Sequence, residues 1–243
     1  MPSDERETAC VLVRDGDRAL LLDAGTGTRR LVTDRSLLDG VDQLDVVVTH
    51  FHLDHVCGLG YLRALAVRAA IWGPGAWLYG AETGAILADI LRPPLAPSDV
   101  RASYTMGELH PGRQLIGGFD VRASAQPRHW TPTAGLRVGD ELALVTDTPY
   151  EPSSVRLAEG VACLLHEAWS SSRAPVYPER DATAADAARV ADEAGAASLT
   201  LVHLNPTLDD LAPLLEDASA IFERTTLGRD LALVRDEASQ SDA

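Results

Sequence analysis

Four metal-ligand side chains fall within six residues at His50-Phe51-His52-Leu53-Asp54-His55, directly after the run Leu44-Asp45-Val46-Val47-Val48-Thr49. Three adjacent valines suit a strand buried on both faces. The histidines begin where that strand ends, and open α/β layers place ligand sites beyond the carboxyl ends of their strands. Imidazole nitrogen and carboxylate oxygen suit zinc, with manganese or iron sharing the same ligand chemistry. Two histidines two apart on an irregular loop can face one ion, while Asp54 and His55 turn toward a second. Four ligands are too few for two ions, so others must come from downstream.

The flanking sequence reads as strands alternating with helices. Residues 8–14 and 18–23 form two strands around Asp15-Gly16-Asp17, since Asp-Gly between apolar runs marks a hairpin. Residues 28–39 are expected to be helical, with Gly40 as the stop. A further helix is expected over 58–67, a short strand over 69–72, and an irregular helical excursion over 74–91 ended by Pro93, Pro94 and Pro97. Short strands follow at 100–106, 113–116, 119–125, 135–138 and 141–146, punctuated by Gly, Pro and Asp. Thr148-Pro149-Tyr150-Glu151 reads as a capping box with proline at the first helical position, so a helix is expected immediately beyond Asp147. Strand 161–165 ends at His166-Glu167, and 168–182 is a loop. Thr183 opens a helix closed by Gly195, and strand 198–202 ends at His203. A helix is expected from Thr207, a last strand at 230–234, and a disordered polar tail from Asp236. This order suits one mixed α/β domain over residues 1–243, with an ordered core of about 8–235.

Composition narrows the partners. The chain has 243 residues and a formal net charge of −15, with every one of its 21 basic residues an arginine. Such a surface repels a phosphate backbone at long range, which disfavours a long nucleic acid but not a small anion held by metals. The three cysteines, Cys10, Cys57 and Cys163, are far apart and form no CxxC pair, which suits a reducing cytoplasm. The first residues are charged, and no uncharged apolar run reaches the roughly 18–20 residues of a membrane span. Asp23-Ala24-Gly25-Thr26-Gly27 lacks the third glycine of a dinucleotide fingerprint and the lysine of a P-loop, so no nucleotide cofactor is expected there.

Of the seven histidines, His129, His166 and His203 also fall at or near strand ends, and only His110 has no such place. Together with Asp147 at the end of 141–146, His129 and His203 are the natural further ligands.

His50-x-His52-x-Asp54-His55 resembles the signature of the metallo-β-lactamase superfamily. Four later stretches resemble its tRNase Z branch in order: His129 with Gly135-Leu136-Arg137, Thr146-Asp147-Thr148, His166-Glu167-Ala168-Trp169, and His203-Leu204-Asn205-Pro206. Asp23-Ala24-Gly25 resembles the early Asp-x-Gly turn of the superfamily. The resemblance runs from about residue 8 to residue 234. It implies a four-layer αβ/βα sandwich of α+β type, with two mixed sheets flanked by helices and a site at one edge between them. It implies that His50, His52 and His129 hold one divalent ion, that Asp54, His55 and His203 hold another, and that Asp147 bridges them. Two such ions can clamp a phosphate and share a hydroxide as nucleophile. Asp54, His166 and Glu167 are the residues expected at the chemical step, His166 donating a proton to the leaving oxygen while Glu167 orients it. Members of the superfamily often dimerise, although no stretch here marks an interface.

Arg180-Asp181-Ala182-Thr183 stands where tRNase Z enzymes carry Gly-His-Ser-Thr, and no Gly/Pro-rich arm for gripping tRNA is present. The compact length resembles the small phosphodiesterases of that branch. The expectation is therefore a zinc-dependent phosphodiesterase acting on a small phosphodiester. A lactone or thioester hydrolase on the same ligands, a tRNase Z-like endoribonuclease and a non-enzymatic scaffold are the alternatives. Arg128, Arg137 and Arg173 are candidate anion binders. Trp72, Trp77 and Tyr79 are expected to pack within 69–91, Cys57 to pack as a small apolar residue, and Trp130 and Trp169 stand beside site histidines as candidate pocket walls.

Overall fold

The computed structural model describes residues 2–3, 6–96, 98–99 and 101–234. The expected disorder beyond Asp236 lies outside the described residues.

Two mixed sheets carry the molecule, and the chain fills them in order. The first takes β1 (Val11–Asp15), β2 (Arg18–Leu22), β3 (Gln43–Val47), β4 (Arg68–Gly73) and β5 (Tyr104–Glu108), adjacent in that order. β1 and β2 form the expected antiparallel hairpin, and β2 to β5 run parallel. The second holds β6 (Gly112–Ile116), β7 (Phe119–Gln126), β8 (Thr133–Val138), β9 (Leu142–Val145), β10 (Cys163–Glu167), β11 (Leu199–Val202) and β12 (Thr225–Leu227), again adjacent in chain order. β6 to β9 are antiparallel neighbours, and β9 to β12 run parallel.

Strand alternation sorts the side chains into layers. Leu20 and Leu22 of β2 join Val121, Leu136, Leu144 and Leu165 in a core between the sheets. Ala19 and Leu21 face outward onto Leu31, Val56, Leu59 and Leu62. On the far side, Val145, Leu164 and Leu201 pack against α5 (Ala184–Ala194) and α6 (Ala212–Ser219) through Ala187, Ala188, Ala191 and Leu214. The result is the expected helix–sheet–sheet–helix sandwich.

Strands β2, β3, β7, β9, β10 and β11 all end at one edge, because β7 and β9 are each antiparallel to β8 between them. Asp23, His50, His129, Asp147, Glu167 and His203 therefore arrive together. The two sheets are also joined there, by Ala134 N donating to Thr49 O at 2.9 Å.

Several elements differ from the sequence reading. The helix expected over 28–39 is broken into α1 (Arg29–Thr33) between two short 3-10 turns, because Asp34 leaves the helix and caps Ser36. The helix expected from residue 58 begins earlier: α2 spans Leu53–Val56 and a 3-10 segment continues over Cys57–Ala64. Asp54 and His55 thus ride on a helical turn rather than on the irregular loop. α3 (Thr83–Leu87) and a π-turn at Gly75–Tyr79 make up the 74–91 excursion. No helix starts at Thr148: its amide donates to Glu167 Oε2 and its hydroxyl to Pro149 O, so α4 spans Pro152–Leu157 only. The helix N-terminus expected beside Asp147 is therefore absent from that place. α6 begins at Ala212, whose amide donates to Asp210 Oδ1, instead of at Thr207. The last strand is Thr225–Leu227 and not 230–234, where the chain turns through Leu231 with φ +60°. The strand expected at 100–106 starts at Tyr104, after a 3-10 turn. Thr183, in contrast, opens α5 as expected, through a capping box with Asp186, and Gly195 ends the helix with φ +63°.

Gly58 sets the distance between α2 and the β2 turn. Its amide donates to Ala24 O at 2.8 Å, and an added Cβ would run into Gly25 O and come within 2.8 Å of Ala24 O. Neither backbone can yield cheaply. Gly58→Ala is expected to cost about 3 kcal/mol of stability. An unchanged urea midpoint would contradict this.

Candidate metal centre

Asp23 organises the entry to the site. It is fully buried at the end of β2 with φ +59°. One carboxylate oxygen accepts from Thr49 N at 2.7 Å, and the other lies 2.8 Å from His55 Nδ1. Thr49 Oγ1 donates to the same carboxylate and lies 3.0 Å from His50 Nδ1. The aspartate of the early turn thereby fixes both ends of the 50–55 stretch.

Seven side chains form two groups. His50, His52, His129 and Asp147 offer ligand atoms within 4.8 Å of one another, as do Asp54, His55 and His203. Asp147 stands between them with φ +55°. Its Oδ1 lies 3.4 Å from His129 Nε2 and 3.9 Å from His50 Nε2. Its Oδ2 lies 3.2 Å from His55 Nε2 and 3.7 Å from His203 Nε2. Asp54 Oδ2 lies 3.4 Å from His203 Nε2. His50 Nε2 is buried without a hydrogen-bond partner. Buried polar atoms left this way cost free energy unless something else satisfies them. Nitrogen and carboxylate lone pairs converging from two sides fit divalent ions.

The electrostatics fit as well. Burial opposes ionisation of Asp147, but His203, His55 and His50 outweigh it and hold the carboxyl well below its usual range. Burial opposes charge on His55, yet Asp23 and Asp147 lift its pKa to about 10. His203 is likewise raised despite burial, by Asp147 and by contacts with Asp54 and Glu167. His50 moves the other way, through burial and the positive charge of His55. The protein without metal therefore keeps protons on His55 and His203 at neutral pH, and an ion must displace them. Zinc affinity is expected to rise with pH toward 10, by up to about tenfold per unit for each displaced proton. Titration calorimetry in buffers of different ionisation heat measures the protons released; none released would refute the prediction.

Asp181 was not foreseen in the sequence. Its Oδ1 lies 3.0 Å from His129 Nδ1, and Arg180 O lies 3.2 Å from the same nitrogen. Both partners fix the ring so that Nε2 points at Asp147. The only sequence signal was its place in Arg180-Asp181-Ala182-Thr183.

β10 separates His166 from Glu167. Leu165 belongs to the inter-sheet core and Leu164 to the helix-side core. His166 therefore shares the face of Leu164, and Glu167 the face of Leu165. Glu167 Oε1 lies 3.6 Å from His203 Nδ1, and burial lifts its pKa to about 7 against the pull of His203. His166 Nδ1 lies 2.9 Å from Glu167 O, its Nε2 has no partner, and burial lowers its pKa to about 4. The pairing expected for these two is corrected: the carboxylate faces the cluster and the imidazole faces away, so Glu167 does not orient His166 toward a substrate.

Other candidates resolve by contact. Arg137 is buried and spends its guanidinium on Gly139 O, Leu157 O, Glu159 O and Asp140. It braces β8 and is not an anion binder. Arg128 pairs with Glu151, and Arg173 with Glu216 and Asp217. Trp72 donates to Asp45 Oδ1 and packs between the sheets, as Trp77 also does. Tyr79 packs on Phe51. Cys57 is exposed rather than buried. Trp169 lies over the His203 ring, with centroids 5.6 Å apart. His110 is exposed and joins neither group.

A sandwich with histidines and carboxylates gathered at one edge, in two groups joined by an aspartate, defines a class of metal-binding hydrolase fold. The "Beta-lactamase superfamily domain" family matches residues 18–204. Ribonuclease Z of Prochlorococcus marinus (strain MIT 9303) is 38% identical over 301 residues, covering 95% of this chain and 92% of the relative. Ribonuclease Z of Methanopyrus kandleri is 27% identical over 281 residues, covering 97% and 94%. The metallo-β-lactamase fold protein YhfI from Bacillus subtilis superposes with a TM-score of 0.77 at 19% identity, covering 95% of this chain and 92% of that one. The chain belongs to the metallo-β-lactamase superfamily of hydrolases.

Proposed function

We propose that the protein is a metal-dependent phosphodiesterase whose seven-residue centre takes two divalent ions, and that zinc is their best chemical match. Asp147 carries this reading, because each of its oxygens faces a different ligand group. His50, His52 and His129 serve one ion, Asp54, His55 and His203 the other. When bound, the ions supply Lewis acidity that activates water and offsets charge on the phosphoryl oxygens. The chain's own work is to hold that geometry. Asp23 and Asp181 fix His55 and His129, and Thr49 steadies His50. Asp54, on the more open side of the second group, is placed to orient an attacking water. Glu167, raised to about 7 by burial, is the carboxyl nearest the cluster able to hold a proton at neutral pH.

A small phosphodiester is favoured over a long RNA. The net charge is −15. The ribonuclease Z alignment spans 301 residues, more than this whole chain contains, so the relative carries insertions with no counterpart here. Among the described residues no helix is long and apolar enough to cross a membrane. A single domain and a cytoplasmic site of action fit this reading.

The test is elemental analysis of protein purified without chelator, together with rates on bis(p-nitrophenyl) phosphate, a lactone panel and a thioester panel. Two equivalents of metal and hydrolysis of the phosphodiester are expected. Strong lactonase or thioesterase activity with no phosphodiesterase activity would overturn the proposal.

A further inference from the structure

Next to the centre lies an aromatic surface that the ligand set does not use. The 127–132 loop between β7 and β8 delivers His129, and the residues on either side of Trp130 both touch the first ligand group: His129 faces Asp147, and Thr131 Oγ1 lies 3.3 Å from His52 Nε2. Trp130 itself is 59% exposed. Packing against it is one tight turn, Tyr177–Asp181, closed by Arg180 N and Asp181 N donating to Tyr177 O. That turn presents three side chains to the 127–132 loop. Asp181 holds His129. Arg180 donates to His129 O at 3.2 Å while its guanidinium lies 4.3 Å from the centre of the Trp130 ring. Tyr177, 53% exposed, meets the same ring edge-on at 6.0 Å.

A single exposed tryptophan is ordinary on a protein surface; this one is set apart by the contacts that hold it, on the loop that delivers His129. Here it is also held firmly, with a guanidinium behind it and a tyrosine against it, so little conformational freedom remains to be lost on binding. A ring so fixed offers a flat π surface on the loop that delivers His129 to the metal centre. Leu53, between His52 and Asp54, is also exposed, at 65%, so the rim beside α2 is apolar too. An anionic phosphate would be drawn to the ions, while the group esterified to it would lie along the rim.

We infer that Trp130, braced by Arg180 and Tyr177, is a stacking platform for a flat aromatic ring on one ester arm of the substrate, either a nucleobase or a simple aryl group. The inference rests on the phosphodiester reading for what sits at the metals. It goes further in assigning substrate preference to three residues outside the ligand set. An open face of Trp accepts any planar ring; the common requirement is the π face.

The test compares binding of phosphomonoesters, which measures the platform without turnover. Titration calorimetry on the protein as purified sets adenosine 5′-monophosphate against ribose 5-phosphate, and phenyl phosphate against methyl phosphate. The ring-bearing member of a pair is expected to bind about tenfold more tightly. Trp130→Ala should bring that ratio close to one, and Trp130→Phe should keep most of it. A gain in both pairs supports a general aromatic platform, and a gain confined to one pair supports it with the ring restricted to that kind. Equal affinities in the wild type, no measurable binding of any of the four, or a ratio that survives Trp130→Ala overturns it. A ring preference in protein that hydrolyses no phosphodiester would strike the phosphodiesterase reading alone; hydrolysis without ring preference would strike the platform alone.

Discussion

Asp147→Asn is expected to lower phosphodiester hydrolysis by about a thousandfold and to leave the fold standing. The two side chains have nearly the same shape, so packing at the end of β9 is preserved. What changes is the chemistry of one atom. The carboxylate presents an acceptor to both groups, with Oδ1 3.4 Å from His129 Nε2 and Oδ2 3.2 Å from His55 Nε2. An amide has one acceptor oxygen, and its NH2 donates. Whichever way it is turned, one group loses its shared ligand and meets a donor where a lone pair is needed. Elemental analysis of the variant should find close to one equivalent of metal in place of two. Hydrolysis within tenfold of wild type, with metal content unchanged, would remove Asp147 from its bridging place.

Asp23→Asn should act at a distance through a tautomer. Asp23 touches no proposed ion position; it holds His55 Nδ1 at 2.8 Å and Thr49 N at 2.7 Å. With a carboxylate there, His55 holds a proton on Nδ1 throughout, and only the proton on Nε2, which faces Asp147 and His203, has to leave for an ion. An asparagine can still accept from Thr49, but its NH2 then faces His55 Nδ1. The imidazole must accept at Nδ1 and carry its proton on Nε2, the nitrogen that would bind metal. Affinity at the second group should fall about 10- to 100-fold. Nitrogen NMR of the histidine rings reads which ring nitrogens carry protons, and metal titration reads the affinity. A variant with the wild-type tautomer and unaltered binding would mean that Asp23 is only a structural hydrogen-bond acceptor. Asp23→Ala should be worse, because it also leaves the buried Thr49 amide without its acceptor.

Much of the centre was legible because strand ends are legible. An apolar run that stops at a histidine or aspartate marks a side chain delivered to a sheet edge, and His50, Asp147 and His203 all follow that rule. Direction was harder. His166 and Glu167 are neighbours on one strand, and strand geometry lets only one of them face the cluster. Leu164 and Leu165 before them are both apolar, so the pattern carried no sign of which face was which; register against β9 and β11 decides it. Helix starts failed for a related reason. Thr148 had the composition of a cap, but its amide is claimed by Glu167, a residue of another strand. Asp181 could not be found by spacing at all, since only the folded 168–182 loop brings it to His129.

Asp23, Asp147 and His203 share one further property: all three sit past a strand end at positive φ, between +47° and +59°. Side-chain-bearing residues enter that region at a cost, and glycine does so freely. Selection for thermal endurance alone would therefore push positions 147 and 203 toward glycine, whereas Asp23 is kept by the buried Thr49 amide that a glycine would leave without an acceptor. Each such step would ease the backbone and delete a carboxylate or an imidazole from the centre. A stabilised library sorted only by melting temperature should lose catalysis first at these two sites, and in its inactive survivors glycine at 147 or 203 would mark the metal centre.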